Sequence, residues 1–323
     1  MSSEALVQLA LEALGCTQKD LAFHLGVSAT QISKWKKGEH LSLEMEKRLR
    51  ELSKIGNHDP DFVVWSGSRE NASKWETVIR SIAEVAQSAE ETGYTTDPLI
   101  EPDSFLCWTT FNVLKQMGVD IPKVFPPELN LDKLNDEGCD DFDEGHDSFI
   151  DAISGNNVSS LIYDIFRSFT DVYSFYAAYV ADLANEDFDV FDSSIDSVES
   201  NLMSLAASKL NVSLEDAPNF KDFKYSVEKD YKKWLGLIKD KAFRAGIPLR
   251  SELLSLVYSS HDGLGHNAEA ESLGFNASRL HPDVYMNELL EGMRIIHQVL
   301  PVIMKKLGIE DEFQLDTAAL RIT

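Results

Sequence analysis

The chain has 323 residues and a formal net charge of -24, from 54 acidic residues against 30 Lys and Arg. Its length exceeds the usual single-core size, so a small unit joined to a large one, or two medium units, is expected, with apolar content enough for a sizeable core. The residue pattern excludes a transmembrane span, and three widely separated cysteines, Cys16, Cys107 and Cys139, exclude a zinc site or disulfide framework of paired spacing.

In chain order, the first marked elements lie in "TQKDLAFHLGVSATQISKWKKG", residues 17 to 38. Thr17 stands three residues before Asp20, and Ser28 three before Gln31, so each pair can form a capping box that satisfies free amides of a first helical turn. Gly26 falls just after Leu25, where a chain passing from one helix into another needs a left-handed backbone. Gly38 ends the second helix in the same way. Leu21, Ala22, Leu25, Val27, Ile32 and Trp35 recur at helical spacing as one inward face. Thr30, Gln31, Ser33, Lys34, Lys36 and Lys37 are left outward, a short, polar and basic set.

These residues resemble the helix-turn-helix of Cro/C1 (XRE) type found in bacterial and phage repressors. The resemblance rests on the Thr-Gln opening of one helix, the Leu-Ala pair, the Gly-Val-Ser turn and the Ile-Ser-x-Trp-x-x-Gly close of the next. It extends over about the first 55 residues, roughly a sixth of the chain. It implies a first helix from Ser3 to Leu14 and a closing helix from Leu41 to Ile55, with Met45, Leu49 and Leu52 inward.

The resemblance also implies contacts to double-stranded DNA. Gln18, Ser28 and Lys37 would touch phosphates, which fix register without reading sequence. Ala29, Thr30, Ser33 and Lys34, with Gln31 beside them on helix 28–37, would face the major groove. Lys34 suits a guanine, and Thr30 a thymine methyl or a hydroxyl hydrogen bond. Ala29 departs from the pattern: related repressors often carry a longer polar reader there, so hydrogen-bonded discrimination is expected to be weaker. A second reading of the same four-helix unit is a protein-binding module.

Residues 1–56 hold 8 Lys or Arg against 7 Asp or Glu, leaving 22 basic and 47 acidic residues beyond them. Nearly all the acidity therefore lies outside the motif. Exposed charges are largely screened beyond about 10 Å near 0.1 M salt, so an acidic body held away from DNA would leave a small basic reader to act selectively. A plainly solvated, soluble surface accounts for the same charge.

After the motif, "NHDPDFVVWSGS" (57–68) has the Pro, Gly and Asp content of a linker, with Phe62, Val63, Val64 and Trp65 apolar enough to dock it on the body behind it. Residues 69–323 read as one acidic, multi-helix domain. Helical periodicity runs at about 70–92, 103–117, 148–185, 193–210, 220–244, 249–260 and 283–307, with little strand-like alternation, so the fold class is all-α. The stretch "DIPKVFPPELNLDKLNDEGCDDFDEGHD" (120–147) interrupts the helices with three prolines and an acidic run, and reads as a long surface loop.

Sites that could carry chemistry are few. Asp136, Glu137, Asp140, Asp141, Asp143 and Glu144 suggest calcium, but setting Gly145 as the EF-hand glycine puts Phe142 where an oxygen ligand is needed. "HDGLGHNA" (261–268) has a G-x-G-x-x-A spacing without the strand a dinucleotide site requires, and His261 and His266 do not share a helix face. The series Tyr163, Phe166, Phe169, Tyr173, Phe175, Tyr176 and Tyr179 is read as core, with a dimer seam or ligand pocket as the alternatives. H-E-x-x-H, G-x-x-x-x-G-K-[ST] and G-x-S-x-G are all missing.

The expectation is a non-enzymatic, sequence-specific transcriptional regulator, a repressor or autoregulator. It is expected to be cytoplasmic, without cofactor, metal or catalytic residues, and to bind palindromic DNA as a homodimer. Its acidic domain would dimerise and sense a signal or bind a protein partner. A reading from another class stays open, an interaction or effector protein of a mobile-element, toxin-antitoxin or phage-defence system whose acidic body binds a partner.

Overall fold

A computed structural model describes residues 2–90, 93–102, 105–129, 142–179, 202–245, 295–296 and 298–309. Among them all regular structure is helical, which agrees with the all-α reading. No helix among the described residues is long and apolar enough to cross a membrane.

Four helices form the N-terminal bundle: α1 Ser3–Leu14, α2 Gln18–Leu25, α3 Ala29–Trp35 and α4 Leu43–Ser53. Each start is marked by a side chain that takes up a free amide: Ser2 accepts from Ala5, Thr17 from Asp20, Ser28 from Gln31 and Ser42 from Met45. Leu6, Val7, Ala10, Leu21, Leu25, Ile32, Trp35, Leu49 and Ile55 bury their side chains as the shared core. Of the inward set expected on α4, Leu49 is fully buried, whereas Met45 and Leu52 are only half-buried.

Residues 60–66 form α5 (Pro60–Ser66), capped by Asp59 with Pro60 in its first turn. Phe62 and Val63 are buried; α5 packs on α1 and on two further helices, α6 (Arg69–Ser88) and α8 (Leu106–Met117). Between those two lies a short helix, α7 (Asp97–Ile100). The Phe62 ring meets Phe111 edge-on at 4.9 Å, and Trp75 contacts Phe111 at 5.5 Å and Phe125 at 5.3 Å. Burying an aromatic of this size contributes about 1.5–3 kcal/mol, so this cluster fastens the segment behind the bundle.

Polar bonds fix the same joint. The Arg50 guanidinium donates to the Gly56 and His58 carbonyls at 3.2 and 2.9 Å, while the His58 ring reaches Ser73 Oγ at 3.1 Å and Glu76 Oε2 at 3.3 Å. Lys123 Nζ donates to the Val64 and Trp65 carbonyls, and Asn71 Nδ2 to the Lys123 carbonyl at 2.7 Å.

A 3-10 turn at Pro127–Leu129 precedes α9 (Phe142–Gly155), α10 (Asn157–Tyr179), α11 (Leu202–Ser208) and α12 (Phe220–Ala245). Two readings change here. The interruption expected over 120–147 gives way to helix from Phe142, and the single helix expected over 148–185 is broken at Asn156. The Asn156 carboxamide oxygen accepts from the Val158 and Ser159 amides at 3.1 and 3.2 Å, capping α10 and ending the run that apolar spacing alone makes continuous. On α10, Phe166, Phe169 and Tyr176 are buried, as a core reading requires, while Tyr163 and Tyr173 sit at its edge. The expected helix 249–260, "HDGLGHNA", Cys139 and most of the acidic run lie outside the described residues.

The chain divides into two compact units, Met1–Ser174 with Phe191–Tyr231, and Phe175–Val190 with Lys232–Thr323. The first contains the N-terminal bundle and α5 to α9. In the second, residues 298–307 are helical and expose Val299, Leu300, Val302, Ile303 and Leu307.

Candidate nucleic-acid interface

The outward residues of α2 and α3 are placed by the turn between them. Thr17 and Asp20 close a complete capping box: the Thr17 amide and hydroxyl donate to Asp20 Oδ2 at 3.0 and 2.7 Å, and Thr17 Oγ1 accepts from the Asp20 amide. The Thr17 hydroxyl, and then its backbone amide, hold the Asp20 carboxyl below the usual carboxylate range. Gly26 adopts φ +68°, and the Val27 amide returns to the Ala22 carbonyl at 2.9 Å, so the chain reverses into α3 within three residues. At Ser28 the hydroxyl accepts from the Gln31 amide at 3.1 Å without the reciprocal bond, so this second box closes in one direction.

Two fastenings hold the α2–α3 pair against the rest of the bundle. Arg48 of α4 donates to the Leu25 and His24 carbonyls at 2.9 and 3.2 Å, pairing a cation with the C-terminal end of α2. Ser3 Oγ donates to the Trp35 carbonyl at 2.9 Å, fixing the other end of α3 on α1. Ile32 and Trp35 face inward, 0% and 4% exposed, which fixes the helix rotation and turns the opposite side to solvent.

On that solvent side Ser28, Ala29, Thr30, Lys34, Lys36 and Lys37 are exposed, and Gln18, Gln31 and Ser33 are half-exposed. The fold brings Gln18 and Ser33 together: the Ser33 hydroxyl donates to Gln18 Oε1 at 3.2 Å. Lys34 pairs with Glu39 Oε2 at 3.4 Å, both side chains about half exposed at 50% and 52%. The surface is therefore polar, hydroxyl-rich and basic, with one carboxylate among three lysines. Such an arrangement can donate to phosphate oxygens and to the O6 and N7 of guanine.

Residues 7–52 match the family described as Helix-turn-helix. The N-terminal bundle carries the Cro/C1-type helix-turn-helix. The match spans α1 to α4 and stops before α5. Comparison with curated proteins and with solved structures finds no match. The helix-turn-helix supports DNA binding by the chain, in keeping with the polar and basic outward side of α3.

Sequence reasoning misses three residues of this site. Glu39 lies past the glycine that ends α3, and only the turn through Gly38, at φ +89°, returns its amide to the Lys34 carbonyl and its carboxylate to the lysine. Arg48 and Ser3 act across 23 and 32 residues of chain. The one available signal is the basic residue on α4, which can serve any nearby helix end.

Proposed function

We propose that the chain is a transcriptional regulator that reads the major groove with the helix 28–37 region and represses, or autoregulates, from palindromic sites as a homodimer. In this reading Gln18, Ser28 and Lys37 hold phosphates, while Ala29, Thr30, Gln31, Ser33 and Lys34 face the bases. The body beyond residue 68 supplies dimerisation and binds a signal or protein partner. The observation that carries the reading is the pairing of Gln18 with Ser33. It joins a phosphate-facing position on α2 to a base-facing position on α3, so that register on the backbone and readout of the bases are set together. Two-fold symmetry would place two such helices about 34 Å apart, one helical turn of DNA.

The test is fluorescence anisotropy with the DNA upstream of the protein's own gene and with a scrambled duplex, at two salt concentrations. Wild type should prefer the upstream DNA. Lys34→Ala should weaken that preference, and Lys37→Ala should weaken both duplexes while lowering the salt slope by about 0.9. Sedimentation of the protein with and without DNA checks the dimer. Equal binding to both duplexes by wild type would overturn sequence reading.

A further inference from the structure

We propose that Glu39 is a specificity-determining residue, a carboxylate that competes with DNA phosphate for Lys34 and yields it where a guanine edge is offered. The proposal rests on the DNA-binding reading above. It is carried by the Lys34–Glu39 pair at 3.4 Å, which forms on the reading surface itself. The pair is held by the backbone: Gly38 turns through φ +89° and the Glu39 amide donates to the Lys34 carbonyl at 3.2 Å, so the carboxylate stands beside this lysine in the free protein. Lys36 and Lys37 have no such partner among the described residues, so the only lysine of the three on α3 itself is also the one in an ion pair.

An exposed pair of this kind is weak, so it cannot lock the lysine away. Weakness is what a discriminating competitor needs. On arbitrary DNA, Lys34 gains one phosphate contact but must leave Glu39 and bring that carboxylate into the field of the duplex, so the net gain is small. On a site that presents guanine O6 and N7, the ammonium gains acceptors in the groove and exchange becomes favourable. Glu39 thus subtracts from the sequence-independent phosphate attraction, which every stretch of duplex offers, more than from readout.

The experiment uses the full chain with two duplexes, one selected from a random pool by the wild-type protein and one scrambled. Glu39→Gln, Lys34→Ala and the double variant are compared by anisotropy across a range of salt. For Glu39→Gln we expect scrambled DNA to be bound roughly three- to tenfold tighter and selected DNA to gain less, so the ratio between them falls, with a salt slope steeper by about one. In the Lys34→Ala background the gain should vanish, because the competition acts through that lysine. An unchanged ratio, an equal gain in the Lys34→Ala background, or weaker binding to the selected duplex would overturn the proposal. The last two would make Glu39 a merely repulsive charge or a direct reader of cytosine. If selection with wild type enriches no sequence, the DNA-reading function falls, and this proposal falls with it.

Discussion

Gln18, the first residue of α2, and Ser33, on the outer side of α3, share a hydrogen bond of 3.2 Å in which the serine donates. Each is half-exposed, so water can replace the bond at a cost of about 0.5–1.5 kcal/mol in folding free energy. For DNA binding the pair should act as one unit. We expect Gln18→Ala and Ser33→Ala each to weaken binding to a selected duplex severalfold, and the double variant to lose little more than the worse single one. Additive losses in that double-mutant cycle would show that the two positions contact DNA separately.

Arg48 makes the bundle's one bridge from α4 to the carbonyl end of α2 among the hydrogen bonds described. Hydrogen bonds from a charged group contribute about 1.5–3 kcal/mol. Arg48→Met keeps the aliphatic stem and removes the donors, so urea unfolding should show a loss of that order. A loss below about 0.5 kcal/mol would mean that solvent satisfies those carbonyls equally well.

Gly67 ends α5 at φ +84°, and a Cβ built there would stand 2.7 Å from the Lys123 carbonyl oxygen. Backbone strain at a non-glycine residue costs about 1–3 kcal/mol, and the close carbonyl adds a steric conflict that only backbone movement relieves. Gly67→Ala should therefore lower the thermal midpoint clearly, whereas Gly15→Ala, at φ +56° with nothing within 4 Å, should lower it less. The reverse order in calorimetry would contradict the seat described for α5.

Asp20 supplies the pH dependence of α2. Its folded pKa lies below the ordinary aspartate value because Thr17 bonds to the ionised form. The carboxylate's contribution is thus present above the unfolded value of about 3.9 and is lost as pH falls through the lower folded value. Wild type should melt higher than Asp20→Asn at pH 7, and the gap should close as the pH drops below about 4. A gap that stays the same size from pH 7 down through the acid range would assign the effect to something other than the charge.

Cys107 should resist alkylation in the native protein. Burial, and then the Glu76 carboxylate, push the Cys107 thiol up to about 12, so thiolate is scarce at neutral pH. Mass spectrometry after brief alkylation of native protein at mildly alkaline pH should find Cys107 unmodified, and urea should release it. Rapid native labelling of Cys107 would show that the α6–α8 packing opens readily.

The turn at 17–38 is legible because its signals are local. Thr17 with Asp20, and Gly26 after Leu25, act within a few residues, and a capping side chain or a left-handed glycine stays where tertiary packing permits it. The break at Asn156 is hidden for a related reason: apolar spacing runs straight through 148–179, and only the bonds to Val158 and Ser159 show where one helix stops. Phe62 and Trp65 announce that 57–68 is seated, but not that it is helical, since an Asp-Pro start with four apolar residues after it also fits an extended strap. Glu39, Arg48 and Ser3 need three-dimensional turns to reach their partners, and no spacing rule spans such distances.

The seating of α5 also governs how far the reader can travel. Twelve residues of free chain between reader and body would let the reader wander over roughly 18 Å, at about 5–6 Å times the square root of the residue number. Such a tether would tolerate insertions and would allow two readers to adapt to half-sites at several spacings. Here Phe62, Arg50 and Lys123 clamp that stretch from three sides, so α6 and α8 turn with the reader as one lever. An angular shift in those helices would then reach α2 and α3 undiminished, and one residue added between Ser66 and Ser68 would turn the N-terminal bundle relative to α6 and α8.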